Sequence, residues 1–435
     1  MLTSKTAPSP RSRVPREVPR EVTREIKEQT DLELVSPSSR PISRAHLETV
    51  RESILDRPQK QQPNLYDNQS EVAAAGDQLA QADTITTPER VGRFKQKLAA
   101  CATGEAFLLQ GGPCAERFDH IFDSNTRRKF YGELTDLMLQ ASEMITRTTG
   151  RRVVTAGRAA GQFSKPRSSD TECLPDGREI PSFRGESVNG YAADERAHDP
   201  SRILRAHKAA TLVRTTLHQF MPDLHLSHEG LQLNYELPLL RQTTDGTLYS
   251  GSGDMLWIGK RTNQLDHAHV ELMRRIDNPI GIKIGPDSSP DHLNALLQRI
   301  NPDNRPGKIT LIFRMGAAKA DRLLPPLLKA VKESVQRPVL VCDPCHGNTE
   351  KIGGHKTRRL SAMRQEIEIF VENCRSLGLP VGGLHLEMAG DNNRTECIGA
   401  GVDIKNITED YRSLCDPCLN RRQALEMVRT AIHSL

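Results

Sequence analysis

The decapeptide VCDPCHGNTE, residues 341–350, sets two thiols, a carboxylate and an imidazole within five positions: Cys342, Asp343, Cys345 and His346. A short apolar run of strand type, Pro338 to Val341, delivers them, and Gly347 and Asn348 interrupt the chain immediately afterwards. A buried strand that ends in such groups looks like the floor of a site. Three chemistries use these residue types at this spacing: a metal-ligand set, a Cys-x-x-Cys-His haem attachment box, and a redox dithiol.

A second Cys-x-x-Cys pair, Cys415 and Cys418 in CDPCLN (415–420), would allow a four-thiolate zinc site with Cys342 and Cys345. Against it, each pair encloses Asp-Pro, and the first closes a core strand. Haem attachment calls for an export signal and a small haem domain, and the chain has neither pattern. A mixed set suits the sequence better: Cys114, His346, Glu387 and Asp416 offer a thiolate, an imidazole and two carboxylates. Such donors fit a divalent transition metal without choosing among manganese, iron, cobalt and zinc. The ion could act as a Lewis acid on a carbonyl.

The elements that must position these groups follow from the patterning. At 435 residues the chain is long enough for a sizeable core, and its 36% hydrophobic content implies that part of it stays outside that core. Residues 1–45 are rich in Pro, Ser and Arg and contain the small repeat REVPREVTREIKE (16–28), which reads as a disordered arm. Residues 46–102 form an N-terminal extension ending in a helix over 88–102. Residues 103–435 then alternate short β-branched runs with stretches of helical period. The strands are expected at 107–112, 153–158, 223–229, 255–261, 280–285, 309–316, 338–345 and 382–388. The helices are expected at 127–148, 201–219, 230–241, 262–277, 289–300, 317–334, 357–377 and 420–433. Eight strand-helix units predict an α/β fold, a (β/α)8 TIM barrel with an N-terminal extension, whose largest insertion is 159–200. The first strand-helix turn lacks G-x-G-x-x-G, so a dinucleotide fold is not expected.

In such a barrel the chemistry sits where the strands end. Cys114, Arg158, His228 and Glu229, Arg261, Lys283, Arg314, His346 and Glu387 close the eight strands in turn. The cations Arg158, Lys165, Arg167, Arg261, Lys283 and Arg314 would converge on one mouth, where mutual repulsion is unfavourable unless anions enter. A ligand with more than one phosphate or carboxylate is implied.

The formal net charge is only +5, and +3 of it lies within residues 1–30, which gives no argument for nucleic acid. Nine cysteines without a pairing pattern fit a reducing compartment. No apolar run is long enough for a membrane, and Glu17, Glu21, Glu25 and Glu28 argue against a transit peptide. The expectation is a cytoplasmic protein.

The motifs FLLQGGPCAERF (107–118), TAGRAAGQFSKPRSS (155–169), SFRGESVNG (182–190), SHEGLQLNYE (227–236), WIGKRTNQLDHAHVE (257–271), NPIGIKIGP (278–286), CDPCHGNTE (342–350), GGLHLEMAG (382–390) and CDPCLN, in that order, resemble class II, or plant-type, 3-deoxy-D-arabino-heptulosonate 7-phosphate synthases. The resemblance runs from about Leu47 to the C-terminus. It implies a metal-dependent condensation of phosphoenolpyruvate with erythrose 4-phosphate and water, the first step of the shikimate pathway, in a homodimer or larger assembly. It puts one divalent ion, manganese first and cobalt, iron or zinc as alternatives, on Cys114, His346, Glu387 and Asp416. Phosphoenolpyruvate falls on Arg158, Lys165, Arg261, Lys283 and Arg314, with Glu229 nearby and the backbone N–H of Lys260 toward a phosphate. Arg167 and Ser168 face the sugar phosphate. Lys165, Lys283 and Glu229 are the catalytic candidates, and Asp343-Pro344 is expected to shape the strand end ahead of His346.

The chain departs from the family in four places. Pro113 stands where Asp is usual and Lys260 where Glu is usual, DNNR (391–394) is one residue longer, and the few residues between 219 and 223 leave no room for the inserted helical pair that binds aromatic amino acids in feedback-regulated members. The last point predicts insensitivity to Phe and Trp at that site. The rival readings are a related synthase acting on an amino analogue or another phosphorylated aldose, in secondary metabolism, and a catalytically silent barrel serving as a binding or regulatory partner.

Overall fold

In the computed structural model of the chain, residues 40–41, 44–60, 66–174 and 176–435 are described. The repeat at 16–28 and nearly all of the 1–45 arm lie outside them.

The core is a closed, all-parallel eight-stranded barrel. Its strands are β1 (Ala106–Gly112), β2 (Arg152–Arg158), β3 (His225–Glu229), β4 (Met255–Ile258), β5 (Ile280–Ile284), β6 (Ile309–Phe313), β7 (Val339–Cys342) and β8 (Gly383–Glu387). Each pairs with its neighbour in sequence, and β8 closes on β1 with His385 opposite Gln110 and Glu387 opposite Gly112. All eight strands occur where the sequence reading puts them. β4, β6 and β7 each end three residues short of expectation, because Lys260–Thr262 and His346–Asn348 turn into short 3-10 helices and Arg314 lies beyond the last residue of β6, and β3 begins two residues late.

The two-residue period sorts the side chains. Phe107, Leu109, Leu256, Ile258, Ile280, Ile282, Leu384 and Leu386 pack outward against the helices in one core cluster. Ala106, Leu108, Val154, Ala156, Met255, Ile312, Val339 and Val341 fill the barrel interior in a second. The helix Pro88–Ala102, capped by the Thr87 hydroxyl with Pro88 in its first turn, seals the N-terminal end. It contributes Phe94, Leu98 and Cys101 to the interior cluster, and the Phe94 ring stacks on His225 at 4.0 Å.

Helices Ser124–Thr149, Ser201–Phe220, Pro290–Ile300, Ala317–Glu333 and Arg421–Ser434 stand close to expectation. Three expected helices are corrected. The stretch 230–241 forms one helical turn (Leu233–Glu236), a 3-10 turn and then a hairpin, Leu240–Gln242 with Leu248–Ser250. Pro238 cannot continue the helical ladder, and the buried Arg241 guanidinium donates to the carbonyls of Leu79, Ala82, Pro238 and Leu240 instead. The helix expected at 262–277 is reduced to Ala268–Arg275. Ahead of the helix Leu360–Ser376, the chain makes a hairpin, Thr349–Ile352 with His355–Arg358, turned by Gly353 and Gly354. The polar stretch before residue 88 carries two helices that the sequence reading leaves out, Arg44–Leu55 and Gln69–Gln81. Among the described residues no helix is long and apolar enough to cross a membrane.

Candidate active site

The C-terminal ends of the strands surround a cavity of about 720 Å³. Its wall includes every predicted site residue: Cys114, Arg158, Lys165, Arg167, Ser168, Glu229, Lys260, Arg261, Lys283, Arg314, His346, Glu387 and Asp416. His228, which also closes a strand, points the other way and hydrogen-bonds Glu236 at 2.7 Å behind the barrel wall. Eight Lys or Arg side chains line the cavity, Lys356 being the eighth, against four carboxylates, Glu229, Asp287, Glu387 and Asp416. A partly desolvated excess of positive charge favours anionic ligands.

Beneath the cavity lies a buried polar layer. Glu387 accepts from Arg158 at 2.8 Å and Arg358 at 2.6 Å, with His346 Nε2 at 3.1 Å. The His385 imidazole donates through Nδ1 to Gln110 at 2.7 Å, and its Nε2 accepts from Lys283 at 2.7 Å and from Arg158. Burial, then Lys283 and Arg158, hold His385 far below the ordinary imidazole pKa, so it stays a neutral acceptor between two cations. Gln110 in turn donates to Ser227, which donates to the Gly157 carbonyl. Trp257 lies beside both cations, 5.2 Å from the Arg158 guanidinium and 5.9 Å from Lys283 Nζ.

Asp343, fully buried, accepts from Lys283 at 2.6 Å, His346 Nδ1 at 2.7 Å and the N–H groups of Cys345 and His346. Burial opposes its charge, but His346 and Lys283 hold the carboxyl well below its usual range. Burial also pushes the Lys283 ammonium down to about 8.

The donors suit a metal. Ligand atoms of Cys114, Glu387 and Asp416 all lie within 4.8 Å of one another, with His346 against Glu387. With Nδ1 held by Asp343, His346 turns Nε2 toward this group, the arrangement by which a carboxylate fixes a ligating imidazole. Cys415 beside it, and then burial, push the Cys114 thiol well up, so an ion bound there would displace a proton. The second group of suitable spacing, Asp343, His346 and His385, already holds the Lys283 ammonium between Asp343 and His385. The four-thiolate arrangement does not form. Cys345 and Cys418 accept backbone N–H groups from Glu387 and Cys114, and Cys342 packs in the outer core.

The loops are pinned. Gly112, at φ +153°, brings its backbone so close to Arg158 that a Cβ would meet the Arg158 carbonyl oxygen at 2.6 Å. Glu116 accepts the N–H groups of Ala160, Gly161 and Gln162 at 2.9–3.0 Å, which holds Ala160 at φ +62°. Glu396 accepts from Arg394 at 2.7 Å and from the N–H groups of Arg412 and Cys418, fixing the segment that carries Asp416. Near the rim, Arg261 donates to Ser168 at 2.9 Å, Arg167 pairs with Glu172 at 3.0 Å, and Lys260 pairs with Asp287. Lys165 donates to the Cys114 carbonyl. Glu229 Oε1 is buried without a hydrogen-bond partner among the described residues, and burial raises its carboxyl against the pull of Lys165 and Lys283.

The model of the Class-II DAHP synthetase family matches residues 49–225 and 214–431. The chain belongs to that family. Curated relatives extend over most of it. A phospho-2-dehydro-3-deoxyheptonate aldolase of Streptomyces coelicolor is 37% identical over 431 residues, covering 86% of this chain and 94% of the relative. The Neurospora crassa protein of the same name is 36% identical, covering 86% and 92%. A probable phospho-2-dehydro-3-deoxyheptonate aldolase of Pseudomonas fluorescens is 36% identical, covering 88% and 96%. The chain is thus an enzyme, a transferase of this family, built on the barrel its sequence implies.

The sequence reading misses Gln110, Asp343, Lys356, Arg358, His385 and Cys415 as members of the site. His385 carries a signal: it shares the inward face of β8 with Glu387, two residues on. Asp343 does more than shape the strand end, because it is the carboxylate that joins His346 to Lys283. Lys356 and Arg358 escape because the hairpin that presents them overlaps the start of an expected helix.

Proposed function

We propose that this enzyme condenses phosphoenolpyruvate with erythrose 4-phosphate and water, giving 3-deoxy-D-arabino-heptulosonate 7-phosphate and phosphate. One observation carries the reading: a single cavity joins a cation-rich wall, sized for two phosphorylated substrates, to the donor set Cys114, His346, Glu387 and Asp416. Those four residues would hold one divalent ion, manganese, cobalt, iron or zinc. When bound, the ion supplies Lewis acidity at the sugar aldehyde.

The chain's own groups do the rest. Arg158 and Lys283, fixed by His385, Glu387 and Asp343, hold the enolpyruvyl carboxylate, assisted by Lys165. Arg261, Arg314 and the Lys260 N–H take its phosphate. Arg167 and Ser168 bind the sugar phosphate, which the Arg261–Ser168 hydrogen bond brings next to the first. The C2–C3 π electrons of phosphoenolpyruvate then bond C3 to the aldehyde carbon, whose opened C=O leaves an oxygen that takes up a proton, and water, oriented by the unpartnered oxygen of Glu229, adds at C2 and gives up a proton. Loss of phosphate from C2 completes the balance. The test is phosphate release from phosphoenolpyruvate on adding erythrose 4-phosphate. Release that stops with chelator and returns with a divalent ion is expected, and no release with any of the four ions overturns the reading.

A further inference from the structure

Arg314 and His346 come from neighbouring strands, and the loops that carry them are tied by one buried carboxylate. Glu366 lies on the helix that follows β7 and is 1% exposed. Its Oε1 accepts the N–H groups of Met315 and Gly316, directly after Arg314, at 2.7 and 2.9 Å. Its Oε2 accepts from Asn348 Nδ2, two residues after His346, at 2.6 Å. The Asn348 amide is fully used: Nδ2 also donates to the Pro344 carbonyl at 2.8 Å, and Oδ1 accepts the Ala317 N–H at 3.0 Å.

Between the two loops the backbones touch. A Cβ on Gly347 would lie 2.2 Å from the Gly316 nitrogen, and Gly316 itself sits at φ +79°. Across this contact Arg314 donates to the His346 carbonyl at 2.7 Å. No cation pairs with Glu366 among the described residues, and burial pushes its carboxyl up to about 7. A carboxylate buried against amide donors alone costs stability, so its use here is in holding geometry.

We propose that Glu366 and Asn348 are positioning residues that couple the two halves of the site, setting Arg314 for the anionic substrate and His346 for the metal through one hydrogen-bonded link. The link deepens the function proposed above and rests on it. Disturbing the link lowers affinity for both ligands together, although neither residue touches either one.

The arrangement specifies its own rescue. E366Q turns an amide N–H2 against the Asn348 amide, which cannot flip without losing Ala317 and Pro344. N348D sets two carboxylates face to face. In E366Q/N348D the polarity of the link is reversed: the introduced amide donates to the introduced carboxylate, which still accepts the Ala317 N–H, and only the bond to the Pro344 carbonyl is lost. Mn²⁺ affinity is read by competition with a chromophoric chelator. Phosphoenolpyruvate affinity is read by fluorescence of Trp257, the only tryptophan, in the cavity wall.

Each single variant is expected to weaken both affinities about tenfold, and the double variant to recover to within about threefold of the parent. Phe94→Ala, at the far end of the barrel, serves as a control for lost stability and leaves both affinities unchanged. Parent-like affinities in the single variants, loss of only one affinity, or no recovery in the double variant overturns the coupling. If E366Q does not fold, N348S, which removes the link together with the Pro344 and Ala317 bonds of the amide, carries the same expectation. A parent protein that binds neither ligand instead overturns the proposed function.

Discussion

At the N-terminal end of the barrel Asp254 accepts from Arg90 at 3.1 Å, from the Leu226 N–H at 2.9 Å and from the Thr86 hydroxyl, and Lys308 donates to the carbonyls of Ile276 and Asn278. At the C-terminal end Glu229 keeps an oxygen without a partner, and cations outnumber carboxylates around an open cavity. Both ends bury ionisable groups. At the closed end Asp254 and Lys308 find their partners within the protein, so burial serves the fold, whereas at the open end the groups are left partly unmatched, as a site that takes an anionic ligand would require.

The sharpest way to break this contrast is a crossed pair of substitutions. His346→Ala is expected to lower kcat/KM by on the order of 10³-fold or more through loss of the proposed metal ligand, with the urea midpoint unchanged. Phe94→Ala removes the ring stacked on His225 and is expected to lower stability by about 3–5 kcal/mol in urea unfolding, with KM for phosphoenolpyruvate unchanged. A stability loss in the first, or a KM change in the second, would show that the two ends are not separable.

The same contrast explains what is legible in the sequence. The strands are readable because each is a short β-branched run between helical stretches, and the mouth residues because they close those runs. The layer beneath is not. Gln110, His385 and Asp343 act through one another across three strands, and only closure of the barrel brings them together. The hairpins after β3 and β7 escape because Leu-rich and mixed-charge stretches match helical spacing, whereas Pro238 and the Gly353–Gly354 turn decide otherwise.

A smaller effect separates the two ends by pH. Burial brings Lys283 down to about 8, so below that value the ammonium is intact, and it is lost as pH rises. In the proposed role this takes a positive charge from the substrate carboxylate. kcat/KM for phosphoenolpyruvate is therefore expected to be level near pH 7 and to fall about tenfold per unit well above 8. In Lys283→Arg, whose guanidinium does not titrate in this range, that limb should vanish even if the plateau is lower. Lys308 offers the counterpart. It too is held well below the ordinary lysine range by burial, but it faces only carbonyls and no cavity, so Lys308→Met should leave the pH profile in place.

The smallest expected effect is none at all. The helix Ser201–Phe220 is followed at His225 by β3, and the four residues between them cannot hold a helical pair. The two stretches matched by the family model overlap over 214–225, at that same turn. If aromatic amino acids act on this family through elements inserted there, steady-state rates of this enzyme should not change with micromolar Phe or Trp, alone or together. Inhibition at those concentrations would require a second ligand site outside the mouth, on a barrel whose other end is closed by its own side chains.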